Sequence, residues 1–323
     1  MSPLRELRIG LVGEGAMGRV HAGVLSGLPA VRIAALVAGD VDAGAAFASE
    51  WRIPRCSSDL ADCLQDDDID ALVIASPSGL HELHAVQAVE AGKPALVEIP
   101  VSLTLAGAER VAVAQRRSGV PVMVAHTRRF AAPHRHLRER LRAGDFHLQH
   151  LVVETYFMRR SNLNMFGQPR SWTDHLLWHH ACHSVDLAAW LLDGEEFDVW
   201  ASQGPMHPEL GIAMDMSIGM RARRSGTLVT MALSFNHKGP FGGFYRYIGE
   251  EGTYHVFRDD IKDGDGAVVA LGEHAPPAFE AQDRAFIDAL RSGAKPSCDA
   301  EAVLPAMHLL DRIERAMNQS RAA

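Results

Sequence analysis

The sequence lacks the features that mark several classes of protein. Its four cysteines show no Cys-x-x-Cys spacing, which argues against a zinc site and against a disulfide framework. No apolar run approaches the roughly 18–20 residues that span a bilayer, and residues 1–6 include no apolar targeting segment. With 32 Lys and Arg against 40 Asp and Glu, the net charge of -8 disfavours nucleic acid or an anionic membrane as a partner. We therefore expect a cytoplasmic protein that acts on a small molecule.

The chain is long enough for two domains and apolar enough to give each of them a core. It has 323 residues, of which 47% are hydrophobic and 22% are charged, and it contains no internal repeat or low-complexity linker. Because one domain holds about 100–200 residues, two domains are expected.

A glycine-rich loop lies near the start of the chain. The apolar run of residues 7–12 leads into Gly13, Gly15 and Gly18, spaced as Gly-x-Gly-x-x-Gly. In this pattern the first glycine permits a tight turn, the second lets a pyrophosphate approach the backbone, and the third lets a helix lie close on the sheet. Ala16 and Met17 would begin that helix, whose first N–H groups suit phosphate. The context predicts a Rossmann domain that holds a nicotinamide dinucleotide.

The end of the second expected strand, residues 32–37, normally separates NAD from NADP. A carboxylate there binds the ribose hydroxyls and repels a 2′-phosphate. In this sequence Ala38 and Gly39 precede Asp40, and Arg19 is the nearest candidate for binding a phosphate. The choice between NAD and NADP stays open, with a slight preference for NADP.

Strands alternate with helices up to residue 125, which predicts an α/β, doubly wound parallel sheet. Ligands of such sheets bind at the carboxyl ends of the strands. Ser76-Pro77, Glu98-Ile99 and His126 each follow a strand, so we expect them at the cofactor face. Beyond residue 150, short alternating strands predict an antiparallel sheet with one covered face.

These motifs resemble those of the Gfo/Idh/MocA family of oxidoreductases. The resemblance rests on the glycine loop, Ser76-Pro77 with His81 downstream, Glu98-Ile99-Pro100, the run from His183 to Asp186, and residues 282–290. It implies a Rossmann domain over residues 1–126. It also implies a C-terminal α+β domain over residues 127–323, with a large, mostly antiparallel open sheet that binds substrate and forms a homodimer or homotetramer. The cofactor-binding residues that it implies are Gly13, Gly15, Ala16, Met17, Gly18, Ala38, Ser76, Pro77, His81, Glu98, Ile99 and Trp172.

Two positions depart from the pattern of the family. Ile99 replaces the lysine of the usual Glu-Lys-Pro, which commonly lies near the nicotinamide and the substrate. His179 stands where the family frequently has aspartate, four residues before the catalytic His183. A generic sugar or inositol dehydrogenase is therefore less expected than the family alone would suggest.

Four histidines lie within nine residues. His175, His179 and His183 recur every four residues, so on an α-helix they share one face, with His180 about 100° round from His179. Neighbouring imidazoles hinder one another's protonation, which keeps one neutral and able to act as a general base. We expect His183 and His179 to be catalytic, and His175 and His180 to contact substrate. A zinc site is a less favoured alternative, because hydride chemistry needs no metal.

Five arginines accompany these histidines: Arg128, Arg129, Arg159, Arg160 and Arg170. A guanidinium binds a carboxylate through two parallel hydrogen bonds, which suits a dicarboxylate substrate. We expect Arg128, Arg129 and Arg170 to make these contacts and the others to be solvated or paired with acids. Cys182, beside His183, is better explained as a small buried residue than as a nucleophile.

Longer strings, among them residues 126–130 and 170–180, resemble one branch of the family. Members of that branch oxidise the cyclic hemiacetal of 4-carboxy-2-hydroxymuconate-6-semialdehyde, from protocatechuate ring cleavage, to 2-pyrone-4,6-dicarboxylate. The resemblance implies the same reaction here, with hydride passing to NAD or NADP and a histidine taking the proton. Two alternatives stay open. One is a dehydrogenase or reductase of this family that acts on a sugar, cyclitol or imine, and the other is a non-catalytic, nucleotide-sensing regulator.

Overall fold

The fold is taken from a computed structural model that describes residues 5–164, 167, 169–170, 172–271 and 275–322. Ser171, within the string 170–180, lies outside the described residues. Up to residue 126 the strands are β1 (Leu7–Val12), β2 (Val31–Val37), β3 (Cys56–Ser57), β4 (Ala71–Ile74), β5 (Ala95–Val97) and β6 (Val122–Val124). The helices there are α1 (Ala16–Gly27), α2 (Val41–Trp51), α3 (Ala61–Leu64), α4 (His81–Glu90) and α5 (Leu105–Ser118).

After residue 126 come α6 (Ala132–Ala143), β7 (Leu148–Tyr156), a π-helix (Leu176–Ala181), α7 (Cys182–Leu191), β8 (Phe197–Gln203), β9 (Asp215–Ala222), β10 (Leu228–Ser234), β11 (Gly242–Gly249), β12 (Gly252–Phe257), β13 (Asp260–Asp263), α8 (Ala278–Ser292) and α9 (Leu304–Ala322). None of the helices in the described part of the chain is both long enough and apolar enough to cross a membrane.

The chain divides into two compact units. The first unit comprises the residues through His126 together with Phe279–Leu304, and the second comprises Thr127–Ala278 together with Pro305–Ala323. The division after residue 126 coincides with the boundary expected from sequence. The return of Phe279–Leu304, which includes most of α8, to the first unit differs from the expected continuous second domain. The return depends on contacts between residues far apart in the chain, which local patterns do not reveal.

The first unit contains a six-stranded sheet in the order β3-β2-β1-β4-β5-β6, and all its strand pairs are parallel. This is the strand order of the Rossmann fold. Every residue of β4, β5 and β6 is buried, which explains why these strands are continuous apolar runs in the sequence. The predicted doubly wound α/β class is confirmed, and the loops after these strands can form a ligand site.

The second unit contains a seven-stranded sheet in the order β13-β12-β11-β7-β10-β9-β8. Within this sheet β7 pairs with β10 in parallel and the other pairs of named strands are antiparallel, so the expected mostly antiparallel sheet is confirmed. Along β11, Tyr245 and Tyr247 point to the covered face, where Tyr247 lies 2.7 Å from Nδ1 of His134 on α6. Tyr245 lies 3.5 Å from the hydroxyl of Ser184 on α7. These contacts fix α6 and α7 on the sheet. Oligomerisation through this sheet stays a prediction.

Candidate active site

The glycine loop of the first unit has the geometry of a phosphate-binding loop. Gly13 has a φ of 112°, and a Cβ there would lie 2.4 Å from the carbonyl oxygen of Ala75. A Cβ at Gly18 would lie 2.1 Å from the carbonyl oxygen of Gly13. A Cβ at Gly15, in contrast, would meet no heavy atom within 4 Å. The fold itself requires glycine at 13 and 18, whereas the open space at 15 suits a ligand that approaches the backbone.

Helix α1 begins directly after Gly15, with Ala16 and Met17 as its first residues. Its N-cap residue has no side chain to accept a hydrogen bond, and the first turn carries no acidic residue. The first N–H groups of a helix have no partner within the helix, and the positive end of the dipole lies there. This end of α1 is therefore suited to hold a pyrophosphate.

A carboxylate of the glycine loop, which sequence reasoning missed, lies at the end of β2. Glu14, from the glycine loop, accepts hydrogen bonds from the backbone N–H groups of Gly39 (3.0 Å) and Asp40 (3.1 Å). Asp40 itself caps α2 by accepting from the N–H of Ala43 at 2.8 Å. Arg19, the candidate for a phosphate contact, binds both carboxylate oxygens of Glu50 at 2.6 Å. The position of Glu14 between two glycines was the available signal for its role.

The loops after β4 and β5 are joined by a buried histidine. The ring nitrogens of His81 lie 2.8 Å from the carbonyl oxygens of Ser76 and Pro100, and burial lowers the pKa of His81. The hydroxyl of Ser76 lies 3.0 Å from Nδ1 of His84. Pro77 caps the short 3-10 turn that leads to His81. The neutral ring has one N–H, so His81 donates to one of these carbonyls and lies beside the other. That His81 contacts the cofactor stays a prediction.

Glu98 belongs to a buried network that sequence reasoning also missed. Its carboxylate accepts from Nε2 of His21 at 3.1 Å and from the N–H of Ile99 at 3.0 Å. Nδ1 of His21 lies 2.8 Å from the carboxylate of Asp283 on α8. Burial lowers the pKa of His21, but the two carboxylates outweigh it and raise that pKa to about 10. The ring is therefore an imidazolium that orients Glu98 at the end of β5.

The histidines of the second unit depart from the expected single helical face. His175 has extended backbone (φ −114°, ψ 131°) and caps a π-helix, in which hydrogen bonds run from i to i+5 and each turn is wider. The prediction that His175, His179 and His183 share one α-helical face is therefore wrong. The N–H of His175 instead donates to Nδ1 of His179 at 2.9 Å, and His179 stacks on Trp172 with ring centres 4.9 Å apart.

Asp174 collects three cationic or polar partners just before the π-helix. Arg159 and Arg170 both form ion pairs with its carboxylate, and Nε2 of His180 lies 3.2 Å from it. Burial raises the pKa of Asp174, but His180 and the two arginines together hold that pKa well below its usual range. The ring of His180 contacts those of Phe157 and Phe235, with ring centres 5.1 and 4.9 Å apart. This network fixes the start of the π-helix.

The five arginines differ in their partners. Arg129 is buried and forms two hydrogen bonds, of 2.8 and 2.6 Å, with Asp186 on α7. Arg160 is exposed and donates to the backbone carbonyls of Arg159 (2.7 Å) and Phe235 (3.2 Å). Arg128 lies over the ring of Tyr245, at 5.7 Å from its centre, and its buried Nε has no hydrogen-bond partner among the described residues.

These partners separate arginines with structural contacts from those suited to bind an anion. Arg129 and Arg170, both predicted to bind substrate, each already hold a carboxylate of the protein. Arg128 forms no ion pair with a described residue and lies partly exposed at the start of the second unit. It is the predicted ligand best suited to an external carboxylate.

His183 is the second residue of α7 and is partly exposed, whereas Cys182 before it is buried. Within the described residues, no group of three or more His, Cys, Asp or Glu side chains is arranged to hold a metal ion. His179 and His180 instead contact aromatic rings, a backbone N–H and Asp174.

Comparison with known proteins agrees with the fold and the loop. The family model described as "Oxidoreductase family, NAD-binding Rossmann fold" matches residues 7–126, and that of "Bacterial oxidoreductases, C-terminal" matches residues 132–275. The fold and the glycine loop define an oxidoreductase that uses a nicotinamide dinucleotide. The chain belongs to the Gfo/Idh/MocA family.

Similar proteins are named after different substrates. The chain is 40% identical to a 4-carboxy-2-hydroxymuconate-6-semialdehyde dehydrogenase of Sphingobium sp. over 310 residues. These residues make up 95% of this chain and 98% of the relative. It is 31% identical over 258 residues to an inositol 2-dehydrogenase of Acidothermus cellulolyticus, at 78% and 73% coverage. An aldose-aldose oxidoreductase of Caulobacter crescentus has the same fold, with a TM-score of 0.84, 19% identity and 98% coverage of both chains.

Proposed function

We propose that this enzyme oxidises the cyclic hemiacetal of 4-carboxy-2-hydroxymuconate-6-semialdehyde to the lactone 2-pyrone-4,6-dicarboxylate, a step in the breakdown of protocatechuate. The proposal is supported by the similarity to the Sphingobium dehydrogenase along nearly the full length of both chains. The ring of the hemiacetal must lose one O–H proton and one C–H hydride. The hydride leaves the hemiacetal carbon for a bound nicotinamide dinucleotide, which supplies the redox chemistry.

The observation that carries the choice of substrate is the Nε of Arg128, which has no hydrogen-bond partner among the described residues. This Nε is buried, and no described carboxylate neutralises the guanidinium. A buried donor without a partner is costly, so such a group favours binding of an anionic ligand. The proposed substrate carries two carboxylates, and one of them would bind Arg128. Arg160 is a second arginine without a carboxylate partner among the described residues.

His183 and His179 are assigned different roles. Because a backbone N–H donates to Nδ1 of His179, that nitrogen carries no proton and Nε2 is the protonated one. His179 would therefore donate a hydrogen bond to an oxygen of the substrate. His183, partly exposed on α7, would take the O–H proton as the general base. Together they would supply the base and the hydrogen-bond donor that the reaction needs.

The cofactor is proposed to be NAD rather than NADP. The family model of residues 7–126 is described as NAD-binding. The slight preference for NADP came from the absence of an acid at Ala38, and Arg19, the nearest candidate for binding a 2′-phosphate, is paired with Glu50. Gly15 and the uncapped start of α1 would hold the pyrophosphate.

Oxidation of an inositol is the second candidate, because an inositol 2-dehydrogenase is among the relatives. A neutral cyclitol would leave Arg128 without a carboxylate. Oxidation of an inositol is therefore less well supported by the residues of the second unit than oxidation of the hemiacetal.

The test measures the reduction of NAD or NADP through the absorbance of the reduced nicotinamide. The ring-cleavage product of protocatechuate is the substrate, and myo-inositol is the comparison. We expect turnover of the cleavage product alone. Arg128→Gln should lower kcat/KM for it about 10- to 100-fold, the range expected for a hydrogen bond to a charged group. Arg135→Gln, on the exposed side of α6, removes an equal charge and should have no such effect. Turnover of the inositol alone would discard the proposed substrate.

A further inference from the structure

The adenosine ribose of a dinucleotide is recognised at the end of the second strand of a Rossmann sheet. In this chain that place lacks a carboxylate of its own, because Ala38 is buried and Asp40 caps α2. The carboxylate of Glu14 reaches it from the glycine loop. One oxygen accepts from the N–H of Gly39 at 3.0 Å and the other from the N–H of Asp40 at 3.1 Å.

We infer that Glu14 selects the cofactor: its carboxylate binds the ribose hydroxyls of NAD and repels the 2′-phosphate of NADP. The inference rests on the dinucleotide part of the proposed function and is independent of the substrate.

The chemistry of the carboxylate supports this selection. Each oxygen accepts one backbone N–H and keeps a lone pair that can accept a ribose O–H. A 2′-phosphate offers mainly acceptor oxygens and carries about −1.5 to −2 charges at neutral pH, so it would meet like charge. It would also find the N–H groups of Gly39 and Asp40 already occupied.

The charge of Glu14 already affects a neighbouring strand. Burial and the Glu14 carboxylate together raise the pKa of the Cys56 thiol on β3, which pairs with β2. A nearby cation that would attract a phosphate is also neutralised, since Arg19 is paired with Glu50. The electrostatics at the end of β2 therefore oppose a 2′-phosphate.

The experiment measures dissociation constants of NAD and NADP by calorimetry, without substrate, for the wild type and three variants. Glu14→Gln removes the charge and keeps one oxygen, which can accept one of the two backbone N–H groups. Glu14→Asp keeps the charge on a shorter side chain. Glu109→Gln, on the exposed side of α5, removes one negative charge elsewhere in the same unit and is the matched control.

We expect Glu14→Gln to raise the affinity for NADP relative to NAD about tenfold or more, the order that removal of one like charge at a few ångströms gives. Glu14→Asp and Glu109→Gln should keep the wild-type ratio. In Glu14→Gln the pKa of Cys56, followed by the pH dependence of its alkylation, should fall. An unchanged NADP to NAD ratio in Glu14→Gln would overturn the inference. So would an equal loss of both cofactors in that variant, because Glu14 would then only hold the loop.

Failure of the proposed substrate would leave this result unaffected, since no substrate is present. Absence of dinucleotide binding in the wild type would overturn both the inference and the cofactor assignment.

Discussion

His179 and His183 lie four residues apart, yet the backbone gives them different chemistry. A proton added at Nδ1 of His179 would face the N–H of His175, which opposes protonation there. His183 lies in regular α-helix after the π-helix, and its ring is partly exposed. The hydrogen bond from His175 contributes to this difference.

Replacement of each histidine should separate the two roles. His183→Ala removes the base and should lower kcat by about 10²- to 10⁴-fold, the usual contribution of general base catalysis. His179→Gln keeps an N–H donor and should raise KM more than it lowers kcat. Steady-state kinetics at saturating cofactor, with cofactor affinity measured by titration, checks both. Wild-type turnover in His183→Ala, or an equal fall of kcat in both variants, contradicts the assignment.

Single residues differ in how well sequence predicts them. Gly13 and Gly18 could be predicted because their reasons, a turn and a close approach, are local to the loop. The substrate contacts of Arg129 and Arg170 could not be judged from sequence. Their carboxylate partners Asp186 and Asp174 become visible only when the chain is folded. The residue type shows that an arginine can bind a carboxylate. Whether its guanidinium is available to a ligand depends on the carboxylates that the folded chain places beside it.

At the scale of elements, one imidazolium links three segments of the first unit. His21 lies on α1, Glu98 follows β5, and Asp283 lies on α8. All three side chains are buried, and the single positive charge of the ring pairs with both carboxylates and offsets one of their two negative charges. Since Glu98 also holds the N–H of Ile99, the network positions the loop where the family has its lysine.

The network should make stability depend on pH in a defined direction. The pKa of His21 is about 10 in the folded protein, above the value of about 6.5 for unfolded histidine. The stability that the charged ring supplies is therefore complete below about pH 6.5 and is lost progressively as the pH rises towards 10. His21→Gln, which lacks the charge, should be destabilised by a few kcal/mol near pH 6.5, with a difference from wild type that shrinks towards pH 10.

Urea unfolding of both proteins between pH 6 and 10 measures this difference. His308→Gln, an exposed histidine of α9, is the control and should match the wild type throughout. A difference between His21→Gln and wild type that stays constant across this range would show that the ring is not charged in the folded protein.

Element types were more predictable than their exact geometry. Most strands of the two sheets follow from apolar runs and alternation, which depend on neighbours in sequence. The short strand β3 and the strands β12 and β13 were not predicted. The π-helix Leu176–Ala181 could not be predicted, because its apolar residues fit an α-helix equally well. Asp174 and its arginines hold the start of that helix. The rotation of His179 relative to His183 therefore depends on tertiary contacts.

At the scale of the whole molecule, the residues proposed to bind the cofactor and those proposed to bind the substrate belong to different units. The glycine loop and Glu14 belong to the first unit, and Arg128 and the histidines belong to the second. The first unit also includes Phe279–Leu304, which follows the second sheet in the sequence. Asp283, in that returning segment, completes the His21 network.

This division predicts that the effects of Glu14→Gln and Arg128→Gln will be additive. The first should change the ratio of kcat/KM with NADP to that with NAD, and the second should lower kcat/KM for the hemiacetal with either cofactor. Substitutions without shared partners usually add to within about 0.3–0.5 kcal/mol, so the double variant should show the product of the two fold-changes. The measurement is a double-mutant cycle of kcat/KM with both cofactors. A coupling well above that range would show that Arg128 also acts on the dinucleotide, because a group that contacts only the substrate changes both cofactor reactions equally.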